Sequence, residues 1–217
     1  MSYFGWLFDP ANWTGSGGIP ARLVEHLGYV ALAMIIALVI ALPLGAWVGH
    51  TGRGGFLVVG SANALRALPT LGVLILLVTP FGLSIVGPLI ALVVLAIPPL
   101  LAGTYAGVRN VDPAVVDAAR GMGMSRSEIQ RGVEIPIATP VIFAGIRTAA
   151  VQVVSGAVLA AYIGGGGLGD FITAGIAMMA LPQLFVGAIP ATLLSIGTDQ
   201  LFGYLQRTFT PPGLRAA

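Results

Sequence analysis

The stretch GYVALAMIIALVIALPLGAWV, Gly28 to Val48, carries no charged side chain in 21 residues. At about 1.5 Å of rise per residue, a helix of that length covers roughly 30 Å, the hydrocarbon thickness of a bilayer. Four more stretches read the same way: Leu57–Thr79, Ser84–Ala106, Val141–Tyr162 and Leu184–Tyr204. A further apolar stretch, Phe171–Ala180, is too short to cross and reads as re-entrant or interfacial. The expected fold is all-α, a polytopic membrane protein with about five transmembrane helices. A barrel would need short alternating strands with a polar lumen face. Pro43, Pro69, Pro98, Pro99 and Pro190 lie within or near spans, where neighbouring helices can satisfy the carbonyls they free.

Composition agrees with that reading. The 217 residues are 57% hydrophobic and 8% charged, with a mean hydropathy of +0.96. Soluble domains carry about 25% charged residues, and only a bilayer accepts so much apolar surface. Cysteine is absent, which excludes disulfides, thiolate metal sites and a cysteine nucleophile. Lysine is absent too, and all ten basic residues are arginine. A phosphate-binding Walker A loop requires lysine, so no ATP-hydrolysing site of that kind resides in this chain. The net charge of +2 rests on few groups and gives no sign of nucleic-acid binding.

Arginine placement sets the expected orientation. With the Arg109–Arg131 connection in the cytoplasm, Arg53, Arg109, Arg120, Arg126, Arg131, Arg207 and Arg215 fall inside and only Arg22 outside. Arg66 and Arg147 lie near the cytoplasmic ends of spans and are expected to snorkel. The N-terminus is then outside and the C-terminus inside. Residues 1–27 read as a retained extracytoplasmic tail with a short interfacial helix around Pro20–Leu27, not as a signal peptide. Residues 28–208 form the transmembrane domain, and 209–217 a cytoplasmic tail.

Most of the charge lies in the connection after the third span. Asp112 suits an N-cap and Pro113 the first helical position, and Ala114–Arg120 make about two turns. Gly121 or Gly123 ends them, and Ser125 with Glu128 has capping-box spacing for a second helix. Pro136 and Pro140 mark the re-entry into the membrane. Val115, Val116, Ala118 and Ala119 give the first helix a low-profile surface that can seat in a groove on another protein. An ordinary solvated loop is the plainer alternative.

Here the chain resembles a known family. Permeases of ABC importers share a cytoplasmic signature: Glu-Ala-Ala, three residues, Gly, nine residues, then Ile-x-Leu-Pro. This chain has Asp117-Ala118-Ala119, three residues, Gly123, nine residues, then Val133-Glu134-Ile135-Pro136. Asp replaces Glu, Val replaces Ile and Ile replaces Leu, with the spacing kept. The resemblance implies that residues 112–136 are a coupling segment. Asp117, Ala118, Ala119 and Gly123 would dock on a separate ATPase subunit, with Val133, Ile135 and Pro136 packing the supporting helix. ATP and Mg would be bound by that partner, with no cofactor in this chain. The further partners implied are an extracytoplasmic solute-binding protein and a second permease, identical or homologous, within the lipid of a bacterial or archaeal-type cell membrane.

More of the chain is similar to one branch, the permeases for glycine betaine, carnitine and choline. The carriers are Ala64–Leu71, Arg109-Asn110, Gly145–Ala149 and Ile163–Ile172, and the likeness covers Gly28 to Thr208. Methionine-type permeases share parts of these patterns, so an amino-acid permease is the alternative within the family. An ion-coupled secondary transporter or channel, and an intramembrane enzyme, are the alternatives outside it. The spans hold no cage of aromatics for a quaternary ammonium. Selectivity is therefore expected in the binding protein, with Asn63, Thr104, Tyr105, Gln152, Ser155 and Tyr162 as candidates for weak contacts along the pathway.

Other signals carry less. Gly164, Gly166 and Gly169 match GxGxxG, but after a membrane span instead of a strand. They read as a compact outer turn, a candidate contact for a substrate-delivering partner, with Asp170 capping Phe171–Ala180. His26 and His50 lack a metal-ligand neighbour and read as interfacial. Asp199 and Arg207 read as anchors at the inner face.

Overall fold

The computed structural model describes residues 5, 9–67, 71–72, 75–76, 79–81, 84–211 and 213, with 65–67 as backbone only. Among the described residues every regular element is helical. The helices are α1 (Ile19–Thr51), α2 (Gly55–Ala67), α3 (Val86–Arg109), α4 (Pro113–Gly121) and α5 (Arg126–Ile129). A π-helical turn, Gln130–Glu134, leads into α6 (Ile135–Ala160), followed by α7 (Gly169–Ala177) and α8 (Leu181–Phe209).

Among the described residues, four runs are long and apolar enough to cross a membrane: α1, α3, the run Arg126–Ile163, and α8. The other expected span, Leu57–Thr79, begins as the apolar helix α2. Its residues 68–70, 73–74 and 77–78 lie outside the described residues, and with them Leu68, Pro69 and Thr70 of the branch motif.

The expected separate helix at Pro20–Leu27 is instead the start of α1, which runs unbroken for 33 residues. Pro20 does not interrupt it, because a proline in the first turn removes an N–H that has no helical partner anyway. At about 1.5 Å per residue α1 is about 50 Å long, enough to tilt or protrude. A row of small residues, Ala33, Ala37, Ala41 and Gly45, runs along its buried side beside Val30, Met34 and Val48. Its exposed side is large and apolar, with Val24, Ile35, Val39 and Leu44. That inside-out arrangement suits lipid, where bulky chains gain nothing by turning inward and small ones allow close helix packing.

The chain forms two compact units. One comprises Met1–Ile36, Leu68–Ala96 and Ala150–Thr198. Leu92, Leu168, Val153 and Val154 are fully buried in it, and Ile19, Phe171 and Val186 form a cluster. The other comprises Ala37–Ala67, Ile97–Ala149 and Asp199–Ala217. There α3 meets α6 backbone to backbone. A methyl group on Gly103 would lie 2.8 Å from the Gly145 Cα, so neither position has room for a side chain.

The π turn has a local cause. Pro136 lacks the N–H a regular turn would use, and its ring needs space beneath it. The ladder widens just ahead of it, and the Ile135 N–H reaches back five residues to the Gln130 carbonyl. Pro136 and Pro140, expected to punctuate the chain, sit inside the first turns of α6.

Candidate functional site

Residues 112–136 fold as their local chemistry dictates. The Asp112 carboxylate accepts from the Ala114 N–H at 2.9 Å, with Pro113 opening α4. The C-terminus of α4 closes through two bonds, Gly123 N–H to the Arg120 carbonyl (3.0 Å) and Met124 N–H to the Ala119 carbonyl (3.3 Å). This is the Schellman arrangement, and it requires a left-handed residue at Gly123, whose φ is +86°. Gly123, not Gly121, is thus the terminating glycine. The capping box forms in both directions: Ser125 N–H to Glu128 at 2.7 Å, and Glu128 N–H to Ser125 Oγ at 3.4 Å.

Helix α4 divides its side chains. Ala119 faces inward, as do Ile129 of α5 and Val111. Val115, Ala118 and Met122 are exposed at i, i+3 and i+7, an apolar stripe with no cover from this chain. Asp117 is exposed and pairs with Arg120 at 2.8 Å, so the carboxylate of the signature stays at the surface. Val133, Ile135 and Pro136 are half-buried.

Beside the stripe lies an open groove of about 710 Å³. Arg53, Arg109, Arg120 and Arg126 line it, and only Arg120 of the four forms an ion pair among the described residues. His50 closes its floor, with Nδ1 at 2.6 Å from the buried Glu134 carboxylate. This contact ties the end of α1 to the π turn. It corrects the reading of His50 as a plain interfacial histidine. With 84 residues between the partners, no local signal could have revealed it.

The glycine-rich turn behaves differently. Gly165 to Gly169 are buried. Glu25 of α1 accepts from the Gly167 N–H (2.9 Å), Arg22 (2.7 Å) and the Tyr29 hydroxyl (3.2 Å). Arg22 also reaches Asp170 at 3.0 Å. Burial pushes the Asp170 carboxyl above its usual range, with Arg22 opposing and Glu25 adding to the shift. Asp170 therefore lies in the first turn of α7 as an ion-pair partner, and Leu168 holds the cap position. His26 is fully buried, not interfacial, with Nε2–H donating to the Val154 carbonyl at 3.1 Å. Glycines packed this way are a structural clasp and leave little of themselves for a partner.

The pathway candidates separate. Thr104 is buried, its hydroxyl donating to the Leu100 carbonyl at 2.7 Å and its Cβ facing Gly45, so it packs α1 against α3 and lines no surface. Tyr105 is half-buried, with its hydroxyl against Gly55. Asn63, Gln152, Ser155 and Tyr162 are exposed, Ser155 lying 3.5 Å from Ser195. Arg147 does not snorkel. It makes a bidentate pair with Asp199, at 2.5 Å for each contact, in place of the expected Asp199 and Arg207 anchors. Among the described residues no group of three His, Asp or Glu side chains is placed to hold a metal ion.

Comparison with known proteins places this arrangement. The family model described as binding-protein-dependent transport system inner membrane component matches residues 37–211. The choline transport system permease protein OpuBB of Bacillus subtilis (strain 168) is 34% identical over 93% of each chain. The glycine betaine/carnitine/choline transport system permease protein OpuCB of the same organism is 35% identical over 93% of each. The osmoprotectant import permease protein OsmW of Salmonella typhimurium (strain LT2) is 34% identical over 92% of this chain and 95% of its own. Among solved structures, a chain of the MetNI methionine ABC transporter in an inward-facing crystal form superposes with a TM-score of 0.75. It is 20% identical, covering 94% of this chain and 99% of its own, a likeness of fold.

Proposed function

The chain belongs to the family of binding-protein-dependent transport inner-membrane components, and we propose that it is the permease of an ABC importer for a small quaternary ammonium osmoprotectant. It is a multi-pass membrane transport subunit, not a catalytic enzyme. The observation that carries the solute class is identity of 34–35% across nearly the whole length of permeases named for choline, glycine betaine and carnitine.

The coupling role falls to residues 112–136. The exposed stripe of Val115, Ala118 and Met122 is the kind of surface that seats in a groove on another protein, here the ATPase subunit. The capped turn at Gly123 and the π turn join α4 to α6, so a push on α4 is delivered to a span with little slack. On this reading the 112–136 surface lies in the cytoplasm and the N-terminus outside, which the arginine count supports. A solute-binding protein would deliver the substrate, and a second permease would complete the path, since few spans enclose little space. Asn63, Tyr105, Gln152, Ser155 and Tyr162 remain the candidates for contacts along it. Movement of solute then follows from two states of the spans, biased by closure of the ATPases.

The test is uptake by proteoliposomes holding this permease with its ATPase and binding protein. ATP-dependent accumulation of radiolabelled glycine betaine or choline is expected. Accumulation without ATP, or of methionine alone, would overturn the reading.

A further inference from the structure

Arg147 of α6 and Asp199 of α8 lie inside two membrane-spanning helices, about one and a half turns from the expected span ends at Val141 and Tyr204. Charges at such depth are costly in hydrocarbon and ordinarily face protein or a water-filled cavity. These two satisfy each other through both carboxylate oxygens, yet their side chains remain 40% and 37% exposed. They open onto a groove of about 720 Å³, within the size range of small-molecule sites. The Tyr204 ring, 68% exposed, lines the same groove. The Gln206 amide is already engaged, donating to the Pro140 carbonyl at 2.9 Å.

We propose that this groove is a transit site for zwitterions in which the Arg147–Asp199 pair opens to admit one. The inference rests on the transport reading above and names the residues that read the solute. A betaine-type solute carries a carboxylate and a fixed cation without donor hydrogens. The carboxylate takes the Arg147 fork, for which guanidinium geometry is suited. The cation settles between the Asp199 carboxylate and the Tyr204 ring, held by charge and cation–π attraction. One ion pair is exchanged for two similar ones, so the solute is held weakly and can leave. Choline has no carboxylate to offer Arg147, and it passes with the pair closed, touching Tyr204 alone.

The experiment compares uptake of glycine betaine and choline by the complete transporter in proteoliposomes. The variants are Arg147→Gln, the charge swap R147D/D199R, and Tyr204→Leu. In R147Q, glycine betaine uptake is expected to fall roughly tenfold or more, the scale of a lost charge-assisted contact, while choline uptake changes by less than about threefold. The swap rebuilds a pair between the helices and restores the amount of folded protein but not glycine betaine uptake. Y204L is expected to raise KM severalfold for both solutes. A purely structural clasp predicts another outcome: both solutes fall together in R147Q and return together in the swap. That result, or no loss at all, overturns the proposal. If R147Q does not accumulate in the membrane, unchanged uptake in Y204L overturns it. A wild-type transporter that moves neither solute sinks the transport reading itself, and this inference with it.

Discussion

The segment 112–136 and the turn 164–170 are both glycine-bearing connections engaged with acidic and arginine side chains, those at the turn coming largely from α1, and they use them in opposite ways. In the first, Asp117 and Arg120 pair at the surface, 69% and 66% exposed, while helix caps shape α4 and α5. In the second, Glu25 draws together Arg22, Tyr29 and a loop N–H, and the glycines disappear beneath it. One leaves an apolar face exposed, the face proposed above to meet another protein, and the other fastens the chain to itself. Motif spelling does not distinguish them. The direction in which the charged groups point does.

The contrast breaks most visibly at Glu25. Glu25→Ala leaves Arg22 short of a partner and the Gly167 N–H without an acceptor. Hydrogen bonds to charged groups contribute about 1.5–3 kcal/mol, so a loss of about 2 kcal/mol is expected. It should appear as a lower unfolding temperature in detergent and faster proteolysis near 164–169. Asp117→Ala should leave that temperature unchanged, because an exposed pair contributes little. Equal destabilisation by the two would erase the distinction.

At Ala118 the expected effect is on binding and not on folding. Ala118→Trp places a large ring on the exposed stripe. ATPase capture should weaken roughly tenfold or more, about 1.4 kcal/mol, with the melting curve intact. Undiminished capture would mean that the stripe does not dock. The smallest change is at the α4 terminus. Gly123→Ala forces a methyl-bearing residue to φ +86° and should cost about 1 kcal/mol, read as earlier hydrogen exchange confined to 112–129. A uniform change in exchange would show that the cap is not local.

What the sequence reveals follows the same division. The spans are legible because hydropathy is summed over some twenty residues. Asp112, Pro113, Ser125 and Glu128 are legible because a cap acts within three or four positions. The long-range contacts inside each unit are not. Glu25 meets Gly167 across 142 residues, His50 meets Glu134 across 84 and Arg147 meets Asp199 across 52. Thr104 misleads for a different reason. A hydroxyl in a span suggests a polar path, but it can be satisfied by the carbonyl of its own helix one turn back, which leaves the residue free to serve as packing.

Gly103 and Gly145 bear on how such a protein can move. Where two backbones touch, no side chains stand between them to re-sort, and sliding by a single residue would drive Ala102 or Thr104 into the neighbouring chain. These stretches of α3 and α6 are keyed together like the halves of a splice. If α4 transmits a stroke as proposed above, it swings them as one beam, and the bending has to be found elsewhere.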